Sequence, residues 1–147
     1  MLRISSVDLK DYGEYYCQAK NSVKTVQEYF EITGRPSKPK FTSAQSGTDS
    51  DTYLIEWTVF SQSPITDYNM KIREVDHSTG QRGSWRHVSV TPKNDENGPV
   101  RRETYSIENL SEFNSYEVEL EVKNEHGVTK SDIFKFATTS KLTNFIY

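Results

Sequence analysis

The chain contains one cysteine and three histidines, the residue types that most often serve as nucleophile and base. Cys17 lies near the N-terminus, whereas His77, His87 and His126 lie far along the sequence, in turn-like or strand-edge stretches. A catalytic thiol needs a base within hydrogen-bond reach, and no sequence pattern brings one of these histidines to Cys17. We therefore expect no thiol catalysis.

Other catalytic signatures are missing from the sequence. It has no GxSxG, no HExxH, no glycine-rich phosphate loop and no CxxC. Its acidic residues are scattered over alternate, outward strand positions, where charges are normally solvated. We predict a protein that is not an enzyme, with no catalytic residue, no cofactor and no metal site.

The charge pattern also limits the partners. Eighteen basic and 21 acidic residues are well mixed and give a net charge of −3, so there is no basic footprint for nucleic acid. No run of 18 apolar residues exists, and MLRISSVDLK is too polar for the apolar core of a signal peptide. We expect no nucleic-acid partner, no direct membrane insertion by this chain and no targeting signal within it.

The elements that would position any site are strands. Hydrophobic residues alternate with polar ones in short segments rich in β-branched and aromatic side chains, and no helical stripe exceeds two turns. The candidate strands are LRISSV, EYYCQAK, TVQEYFEI, TYLIEWTVF, YNMKIREV, SWRHVSV, ETYSIENL, YEVELEVKN and DIFKFATT. Without crossover helices, parallel sheets are excluded. The fold class predicted is all-β, an antiparallel sandwich or small barrel.

One stretch, TGRPSKPK, interrupts the strand pattern. Gly34, Pro36 and Pro39 break strand character because proline cannot donate to a central ladder. We place a domain junction there. The predicted divisions are a first domain at residues 1–33, a linker at 34–39, a second domain at 40–139 and a tail at 140–147.

Before the junction, the clearest motif is Asp11-x-Gly13-x-Tyr15-x-Cys17. Gly13 permits a turn into a strand, and Tyr15 stands two residues before the cysteine on the same side of that strand. The motif resembles strand F of an immunoglobulin domain of the I-set type. The resemblance implies that the hydroxyl of Tyr15 ties back to upstream backbone in a tyrosine corner.

The resemblance extends to the flanking residues. Leu2, Ile4 and Val7 are similar to strand E, and residues after Asn21 to strand G. In that family the cysteine of strand F bridges to a cysteine on strand B, packed against a tryptophan on strand C. Both are absent here, so the resemblance implies that the partner of Cys17 lies outside this chain and that residues 1–33 are the last third of a truncated domain. The alternative is a buried free thiol.

After the junction, the chain resembles a fibronectin type III domain. Trp57 matches the tryptophan of its strand B and Tyr68 an inward position of strand C, while Leu110 followed by Tyr116 resembles the tyrosine corner of that family. Tyr105 lies at another inward position. Alternation with polar neighbours favours core positions for these rings over the alternative, a ligand-binding aromatic box.

The same resemblance covers the middle of this domain. Trp85, Val88 and Val90 fit its strand C′, and the polar stretch TPKNDENGPVRR is a long connection to strand E.

The order of the two modules resembles the membrane-proximal part of neural cell adhesion molecules. The resemblance implies a non-catalytic extracellular recognition or adhesion module, part of a cell-surface protein at the plasma membrane. The partners it implies are other cell-surface immunoglobulin-superfamily proteins, bound homophilically or heterophilically. Two alternatives stay open: a module of an intracellular muscle-type scaffold, or part of the ectodomain of a receptor kinase or phosphatase. The inference of an adhesion function is based on analogy between folds.

One modification site is predicted. Asn109-Leu110-Ser111 is the chain's single Asn-x-Ser/Thr sequon, and Asn109 stands beside the inward Leu110. We expect Asn109 to face solvent and to be glycosylated when the protein is secreted.

A last pattern concerns charge on the outer face of the second domain. Glu117, Glu119 and Glu121 alternate with inward residues and form an acidic row. In the family's topology the neighbouring strand carries Lys71 and Arg73 on the same face. We predict that these bases pair with the glutamates across the sheet; the alternative is an unpaired acidic stripe for a basic partner.

Overall fold

The computed structural model describes residues 3–94 and 98–141 of the chain. Apart from a 3-10 turn at Leu9–Asp11, the regular elements in these ranges are strands, and all strand pairs are antiparallel. The predicted all-β class is confirmed. The chain divides into two compact units between Gly34 and Arg35.

The first unit is a hairpin of two strands, β1 (Gly13–Lys20) and β2 (Thr25–Ile32). Its turn is built by Asn21, whose side-chain Oδ1 accepts hydrogen bonds from the backbone N–H groups of Val23 and Lys24 at 2.9 and 2.8 Å. Asparagine favours such a turn because its short side chain imitates a backbone acceptor. The hairpin therefore closes through local chemistry alone.

The prediction of a strand upstream of this hairpin is wrong. Ile4 and Val7 lie outside any strand, with a bend at Ser5 and Ser6; Leu2 lies outside the described residues. A strand needs a neighbour that accepts and donates its backbone hydrogen bonds. Within the described part of this unit, the only ladder is that between β1 and β2.

The second unit contains the remaining eight described strands. They are β3 (Lys40–Phe41), β4 (Tyr53–Phe60), β5 (Asp67–Val75), β6 (Arg86–Val90), β7 (Val100–Ile107), β8 (Ser115–Asn124), β9 (Gly127–Lys130) and β10 (Phe134–Ala137). One sheet has the order β3-β4-β7, and the other has the order β10-β8-β5-β6, with β9 also beside β8.

The core lies between these two sheets. Along β4 the side chains alternate between buried and more exposed positions, as a strand with one face on a core requires. The ring of Trp57 on β4 meets that of Tyr68 on β5 edge to face, with centroids 5.3 Å apart, and Tyr53 stacks on Phe136 of β10 at 3.8 Å. The core is thus closed by side chains from both sheets, as in a β-sandwich.

The edge strand beside β8 is interrupted between β9 and β10. Lys130 pairs with Glu121 and Phe134 with Val118, so between these two pairs three residues of the edge strand lie opposite two residues of β8. The extra residue makes this a β-bulge. Ser131 lies inside it and bonds to β8 through both its N–H and its hydroxyl group. The interruption sets the register in which Lys135 faces Glu117.

The end of β10 is covered by an irregular segment. Ala137 N donates to the carbonyl of Gln45 at 2.9 Å, and Gly47 N donates to the carbonyl of Ala137 at 2.8 Å. At this end, the outer edge of the strand is therefore not open.

Residues predicted as linker are bonded to the second unit from Pro36 onward. Thr129 Oγ1 donates to the carbonyl of Pro36 at 2.7 Å, and Ser37 N donates to the carbonyl of Phe60 at 2.8 Å. Pro36 and Pro39 are both buried.

Candidate recognition surface

Three of the aromatic residues singled out in the second unit, Trp57, Tyr68 and Tyr116, lie inside its core, and the partly buried Tyr105 packs against it. Trp57 and Tyr68 are fully buried, and Tyr116 Oη accepts a hydrogen bond from the N–H of Ser111 at 2.6 Å. Leu110 is also buried, and its N–H donates to the carbonyl of Asp51 at 2.9 Å. These rings fill the space between the sheets, so the aromatic box is not favoured.

The corresponding motif in the hairpin unit makes a similar local contact. Tyr15 Oη donates to the carbonyl of Asp11 at 2.7 Å, which ties the 3-10 turn to the start of β1. Gly13 stands between them with a φ of +151°, a conformation that residues with a side chain rarely adopt. The DxGxYxC spacing thus corresponds to a turn that a hydroxyl group closes.

Cys17 is exposed, so the alternative of a buried free thiol is wrong. It lies on the same face of the hairpin as Tyr15 and opposite Glu28 in the register. The stacked rings of Tyr15 and Phe30 form the pair two positions along the strands. Neither strand of the hairpin contains a buried residue. The face that carries the thiol therefore lacks the second layer that would bury it. Its disulfide partner stays a prediction.

Asn109 is exposed, as predicted, and has a left-handed backbone with φ of +58°. Asparagine is one of the few residues that tolerate this conformation. The following residue, Leu110, turns inward. The amide is thus accessible, and its glycosylation stays a prediction.

The predicted pairing across the outer face of β5 and β8 is confirmed. We call its residues, Lys71, Arg73, Glu117, Glu119 and Glu121, the charge ladder. Lys71 Nζ lies 3.1 Å from Glu119 Oε1 and 3.4 Å from Glu121 Oε1, and Arg73 Nη2 lies 2.6 Å from Glu117 Oε2. Because each glutamate has a basic partner, an unpaired acidic stripe for a basic ligand is not favoured.

The electrostatics of the charge ladder follow from these contacts. Burial raises the pKa of Glu117, but hydrogen bonds from Arg73 and Arg82 outweigh it and hold the pKa below its ordinary value. A hydrogen bond from Lys130 lowers the pKa of Glu121. The hydrogen bond to Glu119 raises the pKa of Lys71. All three groups are thereby held in their charged forms near neutral pH.

Three residues of this face were missed by sequence reasoning. Arg82 Nε lies 3.3 Å from both carboxylate oxygens of Glu117, and Lys135 Nζ lies 3.8 Å from Glu117 Oε1. The ring of Trp85 lies under Arg73, whose Cζ is 4.2 Å from the ring centroid.

Trp85 was predicted to belong to strand C′ together with Val88 and Val90, but the corresponding strand, β6, begins at Arg86. Trp85 precedes this strand and contacts the outer Arg73. Trp85 is three residues before Val88 and five before Val90. In an alternating strand an odd separation places two side chains on opposite faces. That parity was the signal that could have placed it.

At one end of the charge ladder the outer face opens into a cleft of about 540 Å³. We call it the cationic cleft. The residues that line it include Gln45, Val75, Arg82, Ser115, Glu117 and Lys135. Arg82 and Lys135 are 55% and 67% exposed, while Glu117 is only 4% exposed. The cleft therefore presents positive groups to solvent and keeps its carboxylate covered.

Within residues 3–94 and 98–141, no group of three or more His, Cys, Asp or Glu side chains is placed to hold a metal ion. In the same ranges, no helix is long and apolar enough to cross a membrane.

Comparison with known proteins gives one family match. Residues 37–135 match the family model described as "Fibronectin type III domain". No curated protein matches the chain. Among solved structures, the chain is similar to a superoxide reductase (neelaredoxin) from Ignicoccus hospitalis, with 10% identity and a TM-score of 0.42, over 71% of this chain and 82% of that one. It is also similar to the third fibronectin III domain of the human KIAA0343 protein, with 14% identity and a TM-score of 0.37, over 72% and 94% of the two chains. At these scores neither likeness bears on function.

Proposed function

Since the chain belongs to the fibronectin type III domain family, we propose that it is a non-catalytic extracellular recognition or adhesion module of a cell-surface protein. Domains of this family are generally non-enzymatic modules. In such a sandwich, the outer faces of the sheets and the loops at its two ends can form binding surfaces.

The observation that carries the proposal is the hairpin unit. Its DxGxYxC turn is closed by the Tyr15 to Asp11 hydrogen bond, and its Cys17 face lies open beside stacked Tyr15 and Phe30. A strand pair with an apolar face and a cysteine on that face resembles part of a larger sandwich with a second sheet. We infer an immunoglobulin domain of the I-set type, with Cys17 bridged to a cysteine outside these 147 residues.

This order of modules supports a place at the cell surface. An immunoglobulin domain followed by a fibronectin type III domain is similar to the membrane-proximal region of neural cell adhesion molecules. The partners we propose are other cell-surface immunoglobulin-superfamily proteins, bound homophilically or heterophilically, with the full-length protein in the plasma membrane. The exposed Asn109 is the proposed glycan attachment site in that compartment.

The second candidate is a module of an intracellular muscle-type scaffold, since such proteins also join immunoglobulin and fibronectin type III modules. There Cys17 would stay an unpaired thiol, as cysteines do in the reducing cytosol. In that case the module would act as a structural element and would carry no glycan at Asn109.

The test is a bead-adhesion experiment with the whole chain. Beads coated with the chain are mixed with each other, and separately with cells that display immunoglobulin-superfamily proteins. Aggregation or cell binding above that of beads coated with serum albumin supports recognition. Absence of both kinds of adhesion contradicts the proposal and leaves the scaffold.

Passage through the secretory pathway provides an independent reading. A mass increase that a glycosidase removes, and that is absent in Asn109→Gln, is expected for an extracellular module. A secreted chain without that increase contradicts the proposed glycan site.

A further inference from the structure

We infer that the cationic cleft binds a segment of a partner protein that carries glutamate or aspartate side chains. The inference rests on the proposed recognition function, since it names the surface and the chemical class of partner.

The first argument is a local excess of positive charge. One carboxylate, that of Glu117, is shared by three basic side chains, Arg73, Arg82 and Lys135. Both carboxylate oxygens are already engaged: Oε2 by Arg73 and Arg82, and Oε1 by Arg82 and Lys135. The cluster therefore keeps two positive charges that Glu117 does not neutralise.

The second argument is that donors remain at the mouth of the cleft. Among the described residues, Arg82 uses only its Nε, toward Glu117. Its two terminal nitrogens form the planar fork that matches a carboxylate in bidentate geometry. Lys135, 67% exposed, flanks it with a second cation. A carboxylate that enters the cleft thus finds unused donors on two sides.

The third argument is preorganisation. Arg73 is held between the ring of Trp85 and the carboxylate of Glu117, and Glu117 in turn holds Arg82 by its Nε. A guanidinium group that is already held loses less conformational freedom when a ligand binds. This makes the cleft different from an isolated surface arginine.

The lining favours a protein segment over other anions. Val75 supplies apolar surface, while the Gln45 and Ser115 side chains can bond to a peptide backbone. A sulfated polysaccharide or a nucleic acid would extend beyond the cleft along a chain whose net charge is −3. Long polyanions are repelled by such a surface, whereas one or two carboxylates on a short segment meet only the local positive charge.

The experiment uses the full chain and two capped hexapeptides. One alternates valine with glutamate, and the other has glutamine at the glutamate positions. In a titration followed by backbone amide resonances, we expect the glutamate peptide to shift Val75, Arg82, Ser115 and Lys135, and to shift them less at high salt. The glutamine peptide should leave them unmoved. Equal shifts from both peptides, or none at these residues, would overturn the inference.

A pair of double variants separates the cleft from general charge. Arg82→Gln with Lys135→Gln should weaken binding of the glutamate peptide at least about tenfold, since both donors are removed. Arg86→Gln with Lys130→Gln makes the same change in net charge outside the cleft and should alter binding less than about twofold. Equal losses from the two variants would contradict the assignment. Circular dichroism spectra confirm that each variant is folded.

Two further ligands test the class of partner. A heparin-derived oligosaccharide and vesicles of phosphatidylserine are titrated under the same conditions. Stronger shifts of Arg82 and Lys135 by either one than by the glutamate peptide would overturn the assignment to a protein partner.

The two proposals can fail separately. If coated beads adhere equally well with the Arg82→Gln and Lys135→Gln variant, the cationic cleft is not the recognition surface, although the module is adhesive. If beads fail to adhere while the glutamate peptide still binds the cleft, the adhesion function is wrong and the acidic-segment site stands.

Discussion

The two units of the chain use the same local pattern and reach opposite degrees of burial. In the hairpin, Tyr15 stacks on Phe30 with ring centroids 5.6 Å apart, yet Phe30 is 51% exposed. In the sandwich, Trp57 meets Tyr68 at 5.3 Å, and both are almost fully buried. The centroid separations are similar, although the first pair is stacked and the second meets edge to face. What differs is a second sheet, which among the described residues only the sandwich has.

This difference shows where the stability of a β-unit arises. Every buried hydrophobic residue among those described belongs to the second unit. An isolated two-stranded hairpin is at best marginally stable in water, because ordering its backbone costs about 1 to 2 kcal/mol per residue and little apolar area is removed from water in return. A cross-strand aromatic pair adds only about 0.2 to 1 kcal/mol.

Hydrogen exchange gives the largest expected contrast between the units. Amides of Val118 and Leu120 in β8 should exchange only through global unfolding, and therefore be protected by about 5 kcal/mol or more. Amides of Tyr16 and Gln18 in β1 should show almost no protection in this chain. Comparable protection of the two strands would break the comparison and would show that the hairpin acquires a partner, for instance by dimerisation through its open edges.

Truncation of one ring in each unit gives the next contrast. Trp57→Ala should lower the free energy of unfolding of the sandwich by about 3 to 5 kcal/mol, because it leaves a cavity between the sheets. Phe30→Ala is the matched change in the hairpin and should alter the free energy of unfolding by less than about 0.5 kcal/mol. Urea denaturation followed by circular dichroism measures both. A large loss from Phe30→Ala would mean that its ring is covered in solution.

The two tyrosine hydroxyls sharpen the comparison further. Tyr116→Phe removes the acceptor of the Ser111 N–H and should destabilise the sandwich by about 1 to 3 kcal/mol. Tyr15→Phe removes the donor to the Asp11 carbonyl but should leave the unfolding transition unchanged, since that carbonyl can be hydrated. The same denaturation assay decides, and equal effects of the two substitutions would refute the contrast.

The smallest expected effect concerns pH. The pKa of Glu117 is lower in the folded chain than its ordinary value of 4.5. A lowered pKa stabilises the fold above the unfolded-state pKa, and this contribution is lost as pH falls through the folded-state pKa. Stability of the sandwich should therefore decline below about pH 4.5, and Glu117→Gln should make that decline smaller.

Glu14→Gln in the hairpin is the control for this effect. It should leave the acid limb of the sandwich transition as it is in the unmodified chain, because Glu14 belongs to the other unit. An acid limb that is identical in Glu117→Gln and the unmodified chain would show that the ion pairs of Glu117 do not stabilise the fold.

Strand parity predicted the charge ladder well. Lys71 and Glu119 stand at outward positions of their strands, and their pairing required only the alternation of side chains and the adjacency of β5 and β8. The buried positions of Trp57 and Tyr116 followed from the same alternation. Within a strand, local sequence determines which face a side chain occupies.

The cationic cleft could not be predicted in this way. Arg82 belongs to the connection between β5 and β6, where no period determines direction, and Lys135 faces Glu117 only because the bulge shifts the register of the edge strand. The exposure of Cys17 also escaped sequence reasoning. Its parity beside Tyr15 was correct, but burial depends on a second layer that parity does not describe.

The interruption between β9 and β10 has a consequence for how the molecule behaves at high concentration. A continuous edge strand is a template on which a foreign strand can grow by main-chain pairing, the first step toward aggregates. Here that template is divided into two pieces of four residues each, twisted apart by the bulge, and the end at Ala137 is already occupied. The hairpin strands are not divided in this way, because β1 and β2 each have an outer edge of eight consecutive residues. Strand pairing with another molecule should therefore be less favourable along the β9 and β10 edge than along the edges of the hairpin.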